Sequence, residues 1–221
     1  MAEPIIKGFI FDFDGTIIVS EDVHMRAWED LSRQTSLKLP HGFLEMSVGM
    51  ADHQLVRILF EAWHHELSEM EILNKKKNFY MARVPSECHP VPGVVDVIHR
   101  LKDKSFPLAI ATSSSREEVA PILKNLNLSG HFSDVITVDD VRSPKPDPEI
   151  YRLAASKLGL PPKVCMAFED SRAGVASARA AGCILVTVQT LYDEKTLGPA
   201  LRSIRDFTDP DLRIFLDKIA P

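Results

Sequence analysis

The sequence predicts an α/β fold, with helices on both faces of a parallel sheet and a small all-α domain inserted after the first strand. Three observations predict it. Short apolar runs alternate with helical patterns along most of the 221 residues. Each run is apolar at successive positions rather than at every second one, as strands buried on both faces must be. The alternation stops between about 19 and 89, where amphipathic helical stretches follow one another without a strand-like run.

The elements follow in order. The first strand is expected at 8–13, and later strands at 107–112, 134–137, 164–168 and 184–188. Helical patterns fit between the later strands at 93–104, 115–126, 147–158 and 171–181, with Gly159 and Gly182 where helix C-caps belong. In the strand-free interval, 21–34 places Val23, Ala27, Trp28 and Leu31 at helical spacing, and 54–66 does the same with Leu55, Ile58, Leu59 and Trp63. A punctuated linker at His89-Pro90-Val91-Pro92-Gly93 closes it. The expected division is therefore a Rossmann-like core, 1–18 and 90–221, and a helical domain, 19–89.

Composition narrows the partners. Apolar residues make up 45% of the chain, enough for a core, and 26 Lys and Arg against 31 Asp and Glu leave a net charge of -5. That sign gives no long-range attraction for nucleic acid or anionic lipid. No apolar run reaches the ~18 residues of a membrane span. The start of the chain lacks the basic segment of a signal peptide, so a cytoplasmic protein is expected. Cys88, Cys165 and Cys183 form no CxxC pair and read as reduced thiols. No heptad or repeat suggests assembly, and a monomer is expected.

The chemistry concentrates at strand ends. Phe11-Asp12-Phe13-Asp14-Gly15-Thr16 closes the first strand with two carboxylates that the i, i+2 spacing points to one face. An EF-hand reading fails, since Val23 would stand where the loop needs its twelfth-position glutamate. An Asx turn and a nucleophilic carboxylate with a neighbouring acid/base remain. Three other strand ends bear on the choice. Thr112-Ser113-Ser114 offers hydroxyls, Ser143-Pro144-Lys145-Pro146 fixes a cation between prolines, and Glu169-Asp170 ends another strand in carboxylates. Singly, each has a structural use: a helix N-cap for Thr112-Ser113 and for Asp170, a solvated charge for Lys145. Together, at the carboxyl ends of a parallel sheet where ligands bind, they make a specific set.

These four motifs resemble those of the haloacid dehalogenase superfamily, over nearly the whole chain, and the helical insert is similar to the family's type 1 cap. The Asp-x-Asp-Gly-Thr form is the phosphotransferase version. The resemblance implies a phosphatase acting on a small phosphate ester, a sugar phosphate for preference, through an aspartyl phosphate on Asp12. Asp14 would be general acid and then base, while Thr112, Ser113 and Lys145 would hold phosphoryl oxygens. Mg²⁺ would be held by Asp12, the Asp14 carbonyl and Asp170, with Glu169 as a further ligand. A response-regulator-like receiver is a rival of another class, but it needs no lid.

The resemblance also assigns the insert. Val19-Ser20-Glu21 and Val91-Pro92-Gly93 are its hinges, and Val23-His24-Met25-Arg26-Ala27-Trp28 is similar to the first cap helix of the β-phosphoglucomutase-like branch. His24 becomes a substrate-side or proton-gating candidate, and Arg116 a further substrate-side one. The mutases of that branch carry an arginine in the loop that aligns with 47–53, where this chain has Asp52, with Arg57 as the nearest arginine. The reversed charge speaks against mutase activity, the rival within enzymes. Lys75-Lys76-Lys77 reads as a solvated helix face or, alternatively, as a phosphate contact. His64-His65 fits no zinc pattern.

Overall fold

The computed structural model describes residues 4–47, 50–63 and 66–219. Strand β1 (Gly8–Phe11) leads through a short β2 (Ile18–Val19) into four helices, α1 (Glu21–Thr35), α2 (Phe43–Ser47), α3 (Asp52–Trp63) and α4 (Glu69–Glu87). The short β3 (His89–Pro90) brings the chain back, and α5 (Val94–Asp103), β4 (Leu108–Ala111), α6 (Arg116–Asn125) and β5 (Asp134–Ile136) follow. Then come α7 (Glu149–Lys157), β6 (Cys165–Glu169), α8 (Arg172–Ala181) and β7 (Ile184–Val188). The chain ends with α9 (Glu194–Leu197), β8 (Arg202–Ile204) and α10 (Pro210–Lys218). Among the described residues, no helix is long and apolar enough to cross a membrane.

Six strands form one parallel sheet in the order β5-β4-β1-β6-β7-β8. From β1 the chain builds outward through β4 and β5, then returns to the other flank through β6, β7 and β8. The reversal lies beside β1, which puts the ends of β1, β4 and β6 around one crevice. The five strands expected from the sequence are present, while β8, with Arg202 and Ser203 in a three-residue edge, carries too little apolar signal to stand out.

The continuous apolar runs resolve into two faces with different side chains. Phe9, Phe11, Leu108, Ile110, Met166 and Phe168 point into a core shared with α5, α6 and α10. Ile10, Ala109, Ala111, Cys165 and Ala167 point into another, shared with α7 and α8. Aromatic rings fill the first face: Phe11 stacks on Phe168 with centroids 4.8 Å apart, and Phe168 meets Phe207 at 5.1 Å. On the second face, alanines let α8 come close, and a Cβ on Gly174 would lie 1.7 Å from Glu169 Oε1. All three cysteines are free, and burial pushes the Cys165 thiol up to about 11 and the Cys183 thiol up to about 12, so neither ionises at neutral pH.

The helical insert has its own apolar centre, Trp28, Leu31, Phe43, Leu55, Val56 and Ile72, with Trp28 edge-on to Phe43 at 5.4 Å. Helix α4 starts on a capping box in which Ser68 and Glu71 satisfy each other's backbone N–H groups. Arg83 on α4 ties Asp30 of α1 at 2.5 Å and Glu87 at 2.8 Å. Val23, Ala27, Tyr80 and Val84 join the large-residue core of the sheet, so α1 and α4 anchor the insert to it. The two chain crossings run side by side as an antiparallel pair, Ile18 opposite Pro90 and Val19 opposite His89. Truncating Phe168 to Ala should cost about 3–5 kcal/mol, since its ring joins strand, strand and C-terminal loop in one cluster. A urea-unfolding midpoint that shifts by less than about 1 kcal/mol would place the core elsewhere.

Candidate active site

The strand ends meet as the topology requires. Asp12, one residue past β1, accepts through Oδ1 from the Phe13 amide at 2.7 Å and from Lys145 Nζ at 2.9 Å. Lys145, carried by the loop after β5, also reaches Glu169 Oε1 at 2.5 Å, and its ammonium lies 5.2 Å from the Tyr151 ring. The lysine and both carboxylates are buried. Burial would lower the pKa of Lys145, but Asp12 and Glu169 more than offset it and hold the ammonium charged. Burial, and then the charge of Glu169, push the Asp12 carboxyl well up against the pull of Lys145.

Glu169 is fully engaged. Oε1 also accepts from the Tyr151 hydroxyl at 2.8 Å, and Oε2 takes the amides of Asp170 and Ser171 at 3.1 and 3.2 Å together with the Ser171 hydroxyl. Asp170 beside it is the opposite case. Both of its carboxylate oxygens are buried without a hydrogen-bond partner, and burial followed by Glu21 and Asp12 pushes its pKa well up. Oxygens of Asp12, Glu169 and Asp170 lie within 4.8 Å of one another. Gly15, at φ +69°, passes so close that a Cβ there would lie 1.9 Å from Asp170 Oδ2.

Asp14 is dressed from three directions. Its Oδ1 accepts from the Ser20 hydroxyl at 2.5 Å and faces His24 Nε2 at 3.2 Å, and its Oδ2 accepts from the Ser114 hydroxyl. Burial alone would raise its pKa, but the His24 contact and the two hydroxyls outweigh it and hold the carboxyl well below its usual range. His24 Nδ1 lies 2.5 Å from Lys76 Nζ. Lysine has no acceptor to offer, so Nδ1 accepts and the ring proton sits on Nε2, aimed at Asp14. The imidazole stacks on Tyr80 with centroids 4.0 Å apart, and Lys76 Nζ makes a second bond of 2.6 Å to Asp52. A cleft of about 490 Å³ opens over Asp12, Asp14, Thr112 and Asp170 and continues between the sheet edge and the helical insert.

A family model described as a haloacid dehalogenase-like hydrolase matches residues 6–182. The chain belongs to the haloacid dehalogenase-like hydrolases. Protein CbbY of Rhodobacter capsulatus is 34% identical over 94% of this chain and 94% of its own. The phosphorylated carbohydrates phosphatase of Thermotoga maritima is 31% identical over 87% of this chain and 90% of its own. Among solved structures, CbbY from Rhodobacter sphaeroides in complex with phosphate superposes with a TM-score of 0.84 at 25% identity, covering 93% of this chain and 96% of that one. The resemblance seen in the four motifs is borne out, and with it the Rossmann-like core and the phosphatase class of the enzyme.

Of the residues singled out as a haloacid dehalogenase-like set, the structure gathers Asp12, Asp14, Thr112, Lys145, Glu169 and Asp170 at one rim, with Ser113 on the cleft wall and His24 facing it from α1. Thr112 is fully buried and accepts from the Ser114 amide at 3.0 Å. Arg116 is not brought there. It lies outside the cleft lining, with its guanidinium on Asp140 at 2.7 Å and on the Val135 carbonyl at 3.0 Å. Val48, Gly49, His64 and His65 lie outside the described residues.

Lys76 stands against the reading of its run as a solvated face: it is fully buried, while Lys75 and Lys77 reach Gln34 and Glu117. The available signal was its place on the four-residue stripe Ile72, Lys76, Tyr80, Val84, all buried. Sequence reasoning took Ser20 and Glu21 only as hinge residues and Ser114 only as one of a run of hydroxyls, and it passed over Tyr151; the roles of these polar groups depend on what faces them.

The orphaned Asp170 oxygens test the fit of a cation. An all-oxygen set with a buried, unsatisfied carboxylate suits a hard ion such as Mg²⁺. Asp12 and Asp170 are the ligands with capacity to spare, since Glu169 already spends both oxygens on Lys145, Tyr151 and the start of α8. Replacing Lys145 by Met should cost about 3–5 kcal/mol, because two buried carboxylates lose their counter-charge. The Asp12 carboxyl would then be pushed further up, and the folded chain would bind a proton that the unfolded chain, with a carboxyl pKa of about 4, does not. The penalty should therefore shrink as pH falls from 7 towards 5 in metal-free buffer. A penalty in urea unfolding that grows with falling pH would remove Lys145 from this role.

Proposed function

We propose that the chain is a Mg²⁺-dependent phosphatase of small phosphorylated metabolites, a sugar phosphate in the first place, acting in the cytoplasm as a monomer. The observation that carries the reading is the pairing of two unlike carboxylates in one cleft. Asp12 is oriented by Lys145 and Phe13 N–H, and Asp14 is held by His24, Ser20 and Ser114 two residues on. Unlike environments assign unlike roles.

In this reading Asp12 attacks phosphorus. The Asp12 O–P bond forms as the ester O–P bond breaks, and Asp14 gives a proton to the departing oxygen. Asp14 is held ionised in the free chain, so it must take up that proton as the phosphate anion is buried against it. In the second half Asp14 takes a proton from water, which attacks the aspartyl phosphate and restores Asp12. Thr112 and Lys145 hold phosphoryl oxygens, and Lys145 stays charged throughout because Glu169 remains beside it. Mg²⁺, held by Asp12, the Asp14 carbonyl and Asp170, would supply the positive charge that lets one anion approach another. Residues 19–89 act as the cap, with His24 and Lys76 on its side of the cleft, and closing it excludes water.

Phosphate release from a panel of sugar monophosphates, with Mg²⁺ and with EDTA, tests the reading. Asp12→Asn should abolish both turnover and phosphoenzyme, and Asp14→Asn should slow turnover roughly 10²–10⁴-fold. Isomerised sugar phosphate without released phosphate would make it a mutase instead. In a separate measurement, Mg²⁺ at 100 times its Kd should stabilise the folded chain by about 2.7 kcal/mol in thermal unfolding. Asp170→Asn should erase that gain, and an undiminished gain in the variant would move the cation elsewhere.

A further inference from the structure

Beyond its phosphoryl end, the cleft presents an imbalance of charge. Lys76 lies behind the wall, and its ammonium is spent: three donors meet Asp52 at 2.6 Å, His24 at 2.5 Å and the Tyr80 ring at 4.9 Å. Lys77 is the sole lysine or arginine among the described residues of the lining, and Glu117 holds it at 2.5 Å. Against these stand the carboxylates of Asp52, Glu117 and Asp139, all on the lining. Asp52 remains about a quarter exposed, open to the cleft while its other face neutralises Lys76. The guanidinium of Arg116, which would change this balance, is held by Asp140 outside.

Resting on the phosphatase reading, we propose that Asp52 selects the leaving group, so that the substrate is the monophosphate of an uncharged polyol and a second anionic group at the far end is refused. Hydroxyls are donors, and Asp52, Glu117 and Asp139 offer them acceptors. A second phosphate or a carboxylate would meet like charges with no unpaired lysine or arginine among the described residues of the lining, after losing its own water. Leu44 and Met50 supply the apolar surface that the carbon face of a sugar needs, and about 490 Å³ is room for a hexose. Asp52 acts twice in this arrangement. It adds a negative charge to the pocket and holds Lys76 away from any incoming anion.

The test compares matched pairs, the 6-phosphate and the 1,6-bisphosphate of glucose, of mannose and of fructose, by phosphate release with Mg²⁺ at pH 8. The wild-type chain should favour the monophosphate by roughly tenfold or more in kcat/KM. Asp52→Asn should narrow that ratio by about fivefold, mainly through a lower KM for the bisphosphate, because it removes one anion and frees the charge of Lys76. Should that variant not fold, Glu117→Gln, at an exposed position on the facing helix, should move the ratio the same way. Equal or better hydrolysis of the bisphosphate by the wild-type chain overturns the inference, as does an unchanged ratio in the folded variant. Absence of phosphate from every ester would instead bring down the phosphatase reading, and this inference with it.

Discussion

The Lys145 ammonium is the charge around which the end of the sheet is assembled. It comes from the loop after β5, reaches the ends of β1 and β6, and lies buried between Asp12 and Glu169. Ion pairs in such places rarely stabilise a fold on balance, because desolvation takes back what attraction gives. Here the surrounding structure is built to keep the pair in place. Tyr151 and the Asp170 and Ser171 amides just before α8 complete the hydrogen bonding of Glu169, and Gly174 leaves the space it fills. The arrangement fixes one face of Asp12 and leaves both carboxylate oxygens of Asp170 buried without a hydrogen-bond partner.

A second chain of contacts runs from the sheet into the helical insert. Asp14 touches His24, His24 touches Lys76, and Lys76 touches Asp52 on α3. Asp14 at the inner end of the cleft is thus connected to Asp52 on its outer wall. The four side chains form a single network of polar groups, buried at Lys76 and partly exposed at the other three, in which each partner limits the options of the next.

The frame of this fold was legible in the sequence because its strands are buried on both sides. Unbroken apolar runs ending in Asp12, Thr112 and Glu169 gave both the sheet and the rim. The edge strand β8 was not legible, since Arg202-Ser203-Ile204 has one core side chain to show. Lys76 was hidden by its neighbours: three lysines in a row read as a wet surface until the helix is seen to turn the middle one inward. Arg116 failed for the reverse reason. Its position after a strand-end serine run suggested the site, but the first turn of α6 gives it Asp140 and the Val135 carbonyl as nearer partners. Contacts between distant segments, such as Ser20 and Ser114 on Asp14, leave no local pattern to read.

The paired crossings β2 and β3 have a mechanical meaning. Two separate tethers would let the helical insert twist, slide and tilt. Hydrogen-bonded side by side over Ile18–Val19 and His89–Pro90, they behave as one flat strap. Such a pairing opposes sliding of one crossing along the other, since each residue of one faces a fixed partner on the other. The entry and the exit of the insert are thereby tied to each other, and Asp14, five residues before Val19, lies just ahead of that tie.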